Sequence, residues 1–324
     1  MENKTSSYFL VAVSNKENLN LCMKYSLAGF PNSINGIWAF LDIREGDFIS
    51  FLYAARAYNL YQVIKKEAYS NAEKLPPWKP LTFQSGRTYC FPYRLYLKPV
   101  RQFNESLVRV DFAYVAENLL LRGGYARTHF QADQTTLQQA SQLGELSSET
   151  TEKVEMESYE TFVPKFTLNK EKIHKPEVLP IREMILQTVI RQYLQDNYLA
   201  SFLQLLQISE LNPESLEVLG EKALPEGHVD IFLKESVPIG KAKKIPIEVK
   251  LGKASTKDLE QLEKYKAELG SECICACLVA RDFQKKTLSS AKGLNLVKYK
   301  LKMNQNVLYT VNELKDLVEF EVIR

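Results

Sequence analysis

Asp230, Glu248 and Lys250 are the side chains of this sequence whose types and spacing bear most directly on chemistry. Glu248 and Lys250 lie in "KKIPIEVKLG", where they alternate with Ile245, Ile247, Val249 and Leu251. A β-strand sends successive side chains to opposite faces, so the two charged residues point one way and the apolar four the other. Taken alone, Glu248 and Lys250 are either a solvated face or half of a reactive site. Asp230 lies in "GHVDIFLK", with Val229, Ile231 and Leu233 on one face of a predicted strand and Asp230 on the other. The polar loop "ESVPIGKAKK" would return the chain antiparallel and set Asp230 near Glu248. Two carboxylates converging from adjacent strands offer hard oxygen ligands for Mg²⁺, with Mn²⁺ a substitute. An ammonium beside them can orient, or help deprotonate, an attacking water.

The elements that must position these groups follow from hydrophobic period. "LPIREMILQTVIRQYLQ" repeats apolar residues at Ile181, Ile185, Val189 and Tyr193, widened by Leu186, Ile190 and Leu194, which predicts an amphipathic helix. After "HVDIFLK" and "KIPIEVKL" come a helix in "STKDLEQLEKYKAEL", opened by Ser255 or Thr256, a strand in "CICACLVA", a helix in "FQKKTLSSAKG" and a strand in "NLVKYKL". Strands that pair first and then alternate with helices predict a mixed sheet covered on both faces. Gln261 and Tyr265 are four apart and share a helical face.

The order "EGHVDIF", "PIEVK", "QLEKY" resembles the PD-(D/E)XK nuclease superfamily, in particular its RecB-like branch, where the E-x-K strand precedes a helix bearing Q-x-x-x-Y. The resemblance covers roughly residues 181 to 303. The "PD" dipeptide of the family stands here as "VD". The resemblance implies that Asp230 and Glu248 are metal ligands and Lys250 the catalytic lysine. Gln261 and Tyr265 would support the DNA phosphate or the site geometry. Glu183 and Glu221 are further candidates for an additional acid.

Residues 7 to 130 read as short strands and turns, including "SYFLVAV", "GDFISFLY", "NLYQVIKKEAY" and "YCFPYRLYLKPV". Helices are predicted in "NLNLCMKYSLAGFP" and "VAENLLLRGG". Of the chain's two tryptophans, Trp38 in "NSINGIWAFLD" follows a Gly and a predicted loop, and Trp78 sits in the Pro-rich loop of "PPWKPLTF". Aromatic faces held in loops can sandwich an unstacked base, or they can plug a core. The succession "YFLVAV", "NGIWAF", "GDFISFLY", "PW" and "FPYRLYLKPV" is similar to the YTH and EVE domains of the PUA-like group, over about residues 7 to 132. That resemblance implies a cage of Trp38 and Trp78 for a flipped methylated base, N6-methyladenine first and 5-methylcytosine second, with Ser33 and Asn35 reading its edge. Arg122, Arg127 and His129 in "GGYARTHFQ", or Arg94 and Lys98 in "YRLYLK", would contact the DNA backbone.

The totals agree with this division. With 324 residues, 45% of them apolar and 25% charged, the chain has length for two domains with cores. Lys and Arg number 16 against 10 Asp and Glu over residues 1 to 132, 5 against 9 over 133 to 180, and 21 against 20 over 181 to 324. The basic surplus lies in the N-terminal part, as binding to a phosphate backbone would want. The five cysteines lack zinc or disulfide spacing and read as buried thiols. No signal peptide or apolar span is visible, and a cytoplasmic protein is expected.

The expected architecture is α+β and α/β. A PUA-like small β-barrel reader domain with helices spans 1–135, a closing helix and acidic linker 136–180, and a PD-(D/E)XK mixed sheet flanked by helices 181–324. The expected activity is a modification-dependent endonuclease acting on double-stranded DNA, as a homodimer and away from membranes. A repair or structure-specific nuclease and a non-catalytic binding protein for modified nucleic acid are the alternatives.

Overall fold

The computed structural model describes residues 6–106 except 55, 83 and 87, then 128–147, 152, 154, 159–236 except 225 and 226, and 240–323 except 292. Contacts divide the chain into two compact units, one of Met1–Lys165 with Glu171–Leu179, the other of Phe166–Lys170 with Pro180–Arg324. Both are mixed α and β.

The first unit is built on β1 (Tyr8–Ala12), β2 (Leu27–Phe30), β3 (Phe48–Tyr53), β4 (Arg56–Tyr69), β5 (Tyr93–Gln102) and β6 (His129–Ala132), hydrogen-bonded in the order β2-β5-β4-β3-β1-β6. Only β1 and β3 among these run parallel. The described ladders form this path without a ladder closing it into a barrel. Helices α1 (Lys16–Tyr25) and α2 (Ile34–Asp42) pack on the sheet, and α3 (Gln134–Gln142) follows β6. The acidic stretch beyond α3 takes part in this unit, since Thr161 and Phe162 pair with Tyr69 and Ala68 of β4.

Trp38 does not lie in a loop. Ser33 caps α2 by accepting a hydrogen bond from Gly36 N–H at 3.2 Å, and Trp38 falls inside the helix. Gly36 tolerates no side chain, because a Cβ there would stand 1.9 Å from the Pro31 carbonyl oxygen. The "NSING" run that reads as a loop is therefore a cap and a close approach.

The second unit is a six-stranded sheet ordered β7-β8-β9-β10-β11-β12, made of β7 (Leu216–Leu224), β8 (Gly227–Glu235), β9 (Lys244–Ala254), β10 (Cys277–Phe283), β11 (Asn295–Leu301) and β12 (Val318–Ile323). β9, β10 and β11 are parallel and the other pairings antiparallel. On one face Leu186 and Ile190 of α4 (Glu183–Tyr193) and Phe202 of α5 (Leu199–Leu205) pack on Ile231, Ile245, Ile247 and Val249. On the other, Leu259, Leu262 and Tyr265 of α6 (Thr256–Leu269) pack on Phe232, Leu278 and Ala280. A sheet buried on both faces explains the near-continuous apolar runs of its central strands.

The alternation of β8 breaks at Asp230. Ile231 and Leu233 belong to the core under α4, whereas Val229 belongs to the core under α6. Glu221, in register with Asp230 between the Gly220–Ile231 and Lys222–Val229 pairs, has a left-handed backbone with φ 50°. The β8–β9 ladder likewise ends at Ile231–Ile247, one step short of Asp230 and Glu248. The strands part where the acidic residues begin.

All five cysteines are free thiols, and burial raises the pKa of each, that of Cys275 to about 11. Among the described residues no helix is long and apolar enough to cross a membrane.

Candidate active site

The parting of β8 and β9 leaves backbone groups that side chains must satisfy. Asp230 Oδ2 accepts the Val249 N–H at 2.7 Å, taking the place of a ladder carbonyl. Gln187, one turn after Glu183 on α4, also hydrogen-bonds the Asp230 carboxylate. Glu183 Oε2 accepts the Leu251 N–H at 3.0 Å, and the Leu251 carbonyl accepts from Tyr299 Oη at 2.7 Å. Carboxylates on β8 and α4 thus hold β9 along the segment that carries Glu248 and Lys250.

Lys250 is the cation of the cluster. Its Nζ lies 2.8 Å from Glu248 Oε1, 3.6 Å from Glu183 Oε1 and 3.9 Å from Asp258 Oδ1. Glu183 opens α4, and Asp258 lies in the first turn of α6, where it forms a capping box with Ser255. Two helix N-termini therefore face the ammonium from different elements, each adding a positive end that favours anions. Lys250 gains proton affinity from Glu248 and Asp230 against the cost of its own burial, so it stays protonated at neutral pH.

Asp230 and Glu248 are both buried, Glu248 at 1% exposure, and burial opposes ionisation of each. Their mutual repulsion raises Glu248 further, while Lys250 pulls the other way. Glu248 Oε2 has no hydrogen-bond partner. A buried carboxylate oxygen without a donor is costly, and a hard cation would satisfy it. No group of three or more His, Cys, Asp and Glu side chains is spaced to hold a metal among the described residues. Mg²⁺ commonly takes only one or two protein carboxylates, with water and substrate phosphate completing its shell, so the oxygen donors of Asp230 and Glu248 fit it.

Gln261 and Tyr265 meet as their spacing requires. Gln261 Nε2 donates to Tyr265 Oη at 2.6 Å, and Tyr265 Oη donates to the His228 carbonyl at 2.9 Å. Tyr265 is fully buried, so of the two roles expected for it the described contacts concern site geometry: it fixes the backbone two residues before Asp230. Gly227 makes room for it, because a Cβ there would stand 2.5 Å from Tyr265 Oη. Gln187 and Asp258 escaped sequence reasoning. The signal for Gln187 was a polar residue four after Glu183 inside an apolar helix stripe.

In the first unit, the Trp38 ring stands edge-on to His129 with centroids 4.7 Å apart, and His129 Nε2 lies 3.0 Å from Asp42 Oδ2. His129, expected at a phosphate, is 2% exposed and committed to that pair. Trp78 packs on Phe91 and carries the Arg94 guanidinium 4.3 Å above its ring centroid. The described ring contacts of the two tryptophans are thus with different partners, and both indoles are buried. Ser33 is occupied as the α2 cap, and the Asn35 carbonyl accepts from Thr128 Oγ1. Arg94, expected to reach the DNA backbone, has no exposed surface, because Trp78 covers its side of the strand. Lys98 on the same strand is exposed. Arg122, Arg127 and the helix expected in "VAENLLLRGG" lie outside the described residues.

No protein-family model and no curated protein matches the chain. Among solved structures, Rpa0253 from Rhodopseudomonas palustris, determined by NMR, is similar at 13% identity and a TM-score of 0.26, over 43% of this chain and 92% of that one. The DNA modification-dependent restriction endonuclease AspBHI is similar at 12% identity and a TM-score of 0.19, over 87% of this chain and 66% of that one. Likenesses this low carry no argument about fold or activity.

Proposed function

We propose that this protein is a metal-dependent DNA endonuclease, with the hydrolytic centre at Asp230, Glu248 and Lys250 and a modified-base reader in the first unit. The observation that carries the reading is the placement of two buried carboxylates and a lysine ammonium 2.8 Å from one of them where β8 and β9 part. Such a cluster is poor for stability and suited to a phosphodiester, which brings negative charge and oxygen atoms. Asp230 and Glu248 would hold Mg²⁺, which when bound supplies Lewis-acid stabilisation of charge on the phosphate.

The residues of the chain divide the remaining work. Lys250, with its ammonium 2.8 Å from Glu248 Oε1, orients the attacking water by donating to it and offsets phosphate charge. Gln187 and the Val249 N–H fix the Asp230 carboxylate, and Tyr265 with Gln261 fixes the strand beneath it. Cutting both strands of a duplex needs two such centres, which a homodimer would supply.

Digestion of DNAs that differ only in N6-methyladenine, 5-methylcytosine or no modification, with Mg²⁺ or with chelator, tests the reading. Cleavage of modified DNA that requires Mg²⁺ is expected. Equal cleavage of modified and unmodified DNA would remove the reader, and no cleavage of any DNA would remove the nuclease.

A further inference from the structure

Arg94 is the least compensated charge among the described residues of the first unit. Its side chain has no exposed surface, and none of Nε, Nη1 and Nη2 has a hydrogen-bond partner. A buried cation without acceptors costs several kcal/mol, and native proteins rarely leave one so. The nearest candidate counter-ion is committed elsewhere. Glu67 is opposite Arg94 in the β4–β5 register, yet its carboxylate accepts from Tyr69 Oη at 2.5 Å and pairs with Lys65 at 2.7 Å. The other groups acting electrostatically on Arg94 are Cys22, Cys90, Tyr69 and Tyr96, all of which are neutral at physiological pH.

The arrangement around it is built. Gly29 lies opposite Arg94 on β2, and a Cβ at Gly29 would stand 2.6 Å from the Trp78 ring and 2.8 Å from Arg94 Nη1. Only glycine at that position admits both the indole and the guanidinium. Trp78 belongs to the segment between β4 and β5, which is anchored by buried Ala72, Leu75 and Cys90 and beyond Trp78 forms a small ladder of Leu81–Thr82 with Thr88–Tyr89, where Leu81 is 55% exposed. An aromatic platform thus covers a fork of unused donors and is carried on a segment outside the main ladder.

We infer that Arg94 reads the acceptor edge of an extrahelical nucleobase that takes the guanidinium's present place on the Trp78 ring. This rests on the proposed reader and assigns its polar contact to Arg94, in place of a role at the DNA backbone. A planar base offers both a face for the indole and carbonyl or ring-nitrogen acceptors for the guanidinium fork. A phosphate fits less well, since Lys65, the cation in the same network, is already paired with Glu67 at 2.7 Å. Because Arg94 has no exposed surface, binding must lift the Trp78 segment from it.

The test uses the full chain with ¹⁵N-labelled tryptophan in chelator, so that nothing is cut. The two tryptophans give two indole Nε1–H signals, assigned with Trp78→Phe. The probes are short duplexes bearing N6-methyladenine, 5-methylcytosine, the unmodified base or an abasic site at one position. Duplexes bearing a base that is bound should move the Trp78 signal and the abasic duplex should not. Arg94→Met should weaken binding about tenfold to a hundredfold, on the usual worth of a guanidinium contact to a base edge. It should leave the melting temperature at or above the wild-type value. Arg94→Lys, which keeps the charge and loses the fork, should weaken binding as well. An equal response to the abasic duplex, an unmoved Trp78 signal, or wild-type affinity in Arg94→Met overturns the inference. Equal responses to the modified and unmodified duplexes would overturn it too, because the abasic duplex carries the same unmodified bases elsewhere. If neither Arg94 variant folds, the wild-type Trp78 signal against the abasic probe decides.

Discussion

Glu248→Gln separates the electrostatic cost of the centre from its chemistry. The substitution keeps shape and, above the pH at which Glu248 ionises, its pKa being pushed up to about 8 by burial and by Asp230, removes a charge that is 1% exposed and has one oxygen without a partner. Leaving a buried polar group unsatisfied costs about 1–3 kcal/mol, and a buried charge more, so relieving it acts toward stability. The substitution also weakens the 2.8 Å ion pair with Lys250, but Glu183 and Asp258 remain within 3.6 and 3.9 Å of that ammonium. Above that pH in metal-free buffer the balance is a gain of about 1 kcal/mol, which on the entropy of a unit this size raises the melting temperature by roughly 3 °C. Wild type should in turn be stabilised by Mg²⁺, by about 1.4 kcal/mol at ten times its dissociation constant, and Glu248→Gln should lose that response. Cleavage should fall at least about 10³-fold, the equivalent of roughly 4 kcal/mol at the transition state. Thermal melts with chelator and with Mg²⁺, run beside a digestion assay, measure all three quantities. A variant several degrees less stable than wild type without metal, or one that still cuts, would show that Glu248 is a structural carboxylate and refute the reasoning.

Lys250→Ala should abolish cleavage and leave DNA binding intact in a mobility-shift assay, with a change in affinity locating the lysine's role in binding instead. Gly227→Ala should unfold or inactivate the second unit, since its Cβ would press on Tyr265 Oη, and adding Tyr265→Phe should restore part of the melting temperature by removing that oxygen. Tyr265→Phe alone should cost about 1–3 kcal/mol, because the His228 carbonyl loses its donor, and should lower cleavage through the displaced Asp230 strand. Lys66 sets a pH dependence for the first unit. The residue is half-buried, its ammonium lies over the Phe40 ring and donates to the Ile43 carbonyl, and burial lowers its pKa to about 8. Between that value and the ordinary 10.5 the unfolded chain binds more protons than the folded one. Stability should therefore rise with pH across that window, with the full penalty present below it, and Lys66→Met should flatten the rise in chemical-denaturation curves.

The parts of the second unit that obey a simple period were legible in the sequence. Ile245, Ile247 and Val249 do share one core, Gln261 does reach Tyr265 across one helical turn, and Ser255 does cap α6. What the period could not carry is the break at Asp230. The split of Val229 from Ile231 goes with the left-handed backbone of Glu221, a long way from Glu248 in sequence and with nothing unusual in its residue type. The same limit explains Arg94. In "YRLYLK" alternation assigns Tyr93, Leu95 and Leu97 to one face and Arg94, Tyr96 and Lys98 to the other, but that second face grades from buried to exposed along the strand. Which end is covered depends on the 78 segment folding back over it, and no local pattern encodes that contact.

Each unit thus keeps an ionisable group buried with polar atoms that have no hydrogen-bond partner: Glu248 at the parting of β8 and β9, and Arg94 under Trp78. Neither can be accounted for by stability, because an apolar residue of similar volume would fill either place at lower cost. The two groups are of opposite sign and differ in what they lack. Glu248 lacks a donor or cation for Oε2, and Arg94 lacks acceptors for three nitrogens. A hard cation would satisfy the first, and an acceptor-bearing plane the second. On the proposed function, DNA with a divalent ion would supply both. It follows that stabilising substitutions at these positions and loss of function should go together, whereas stabilising substitutions on exposed faces should leave binding and cleavage unchanged.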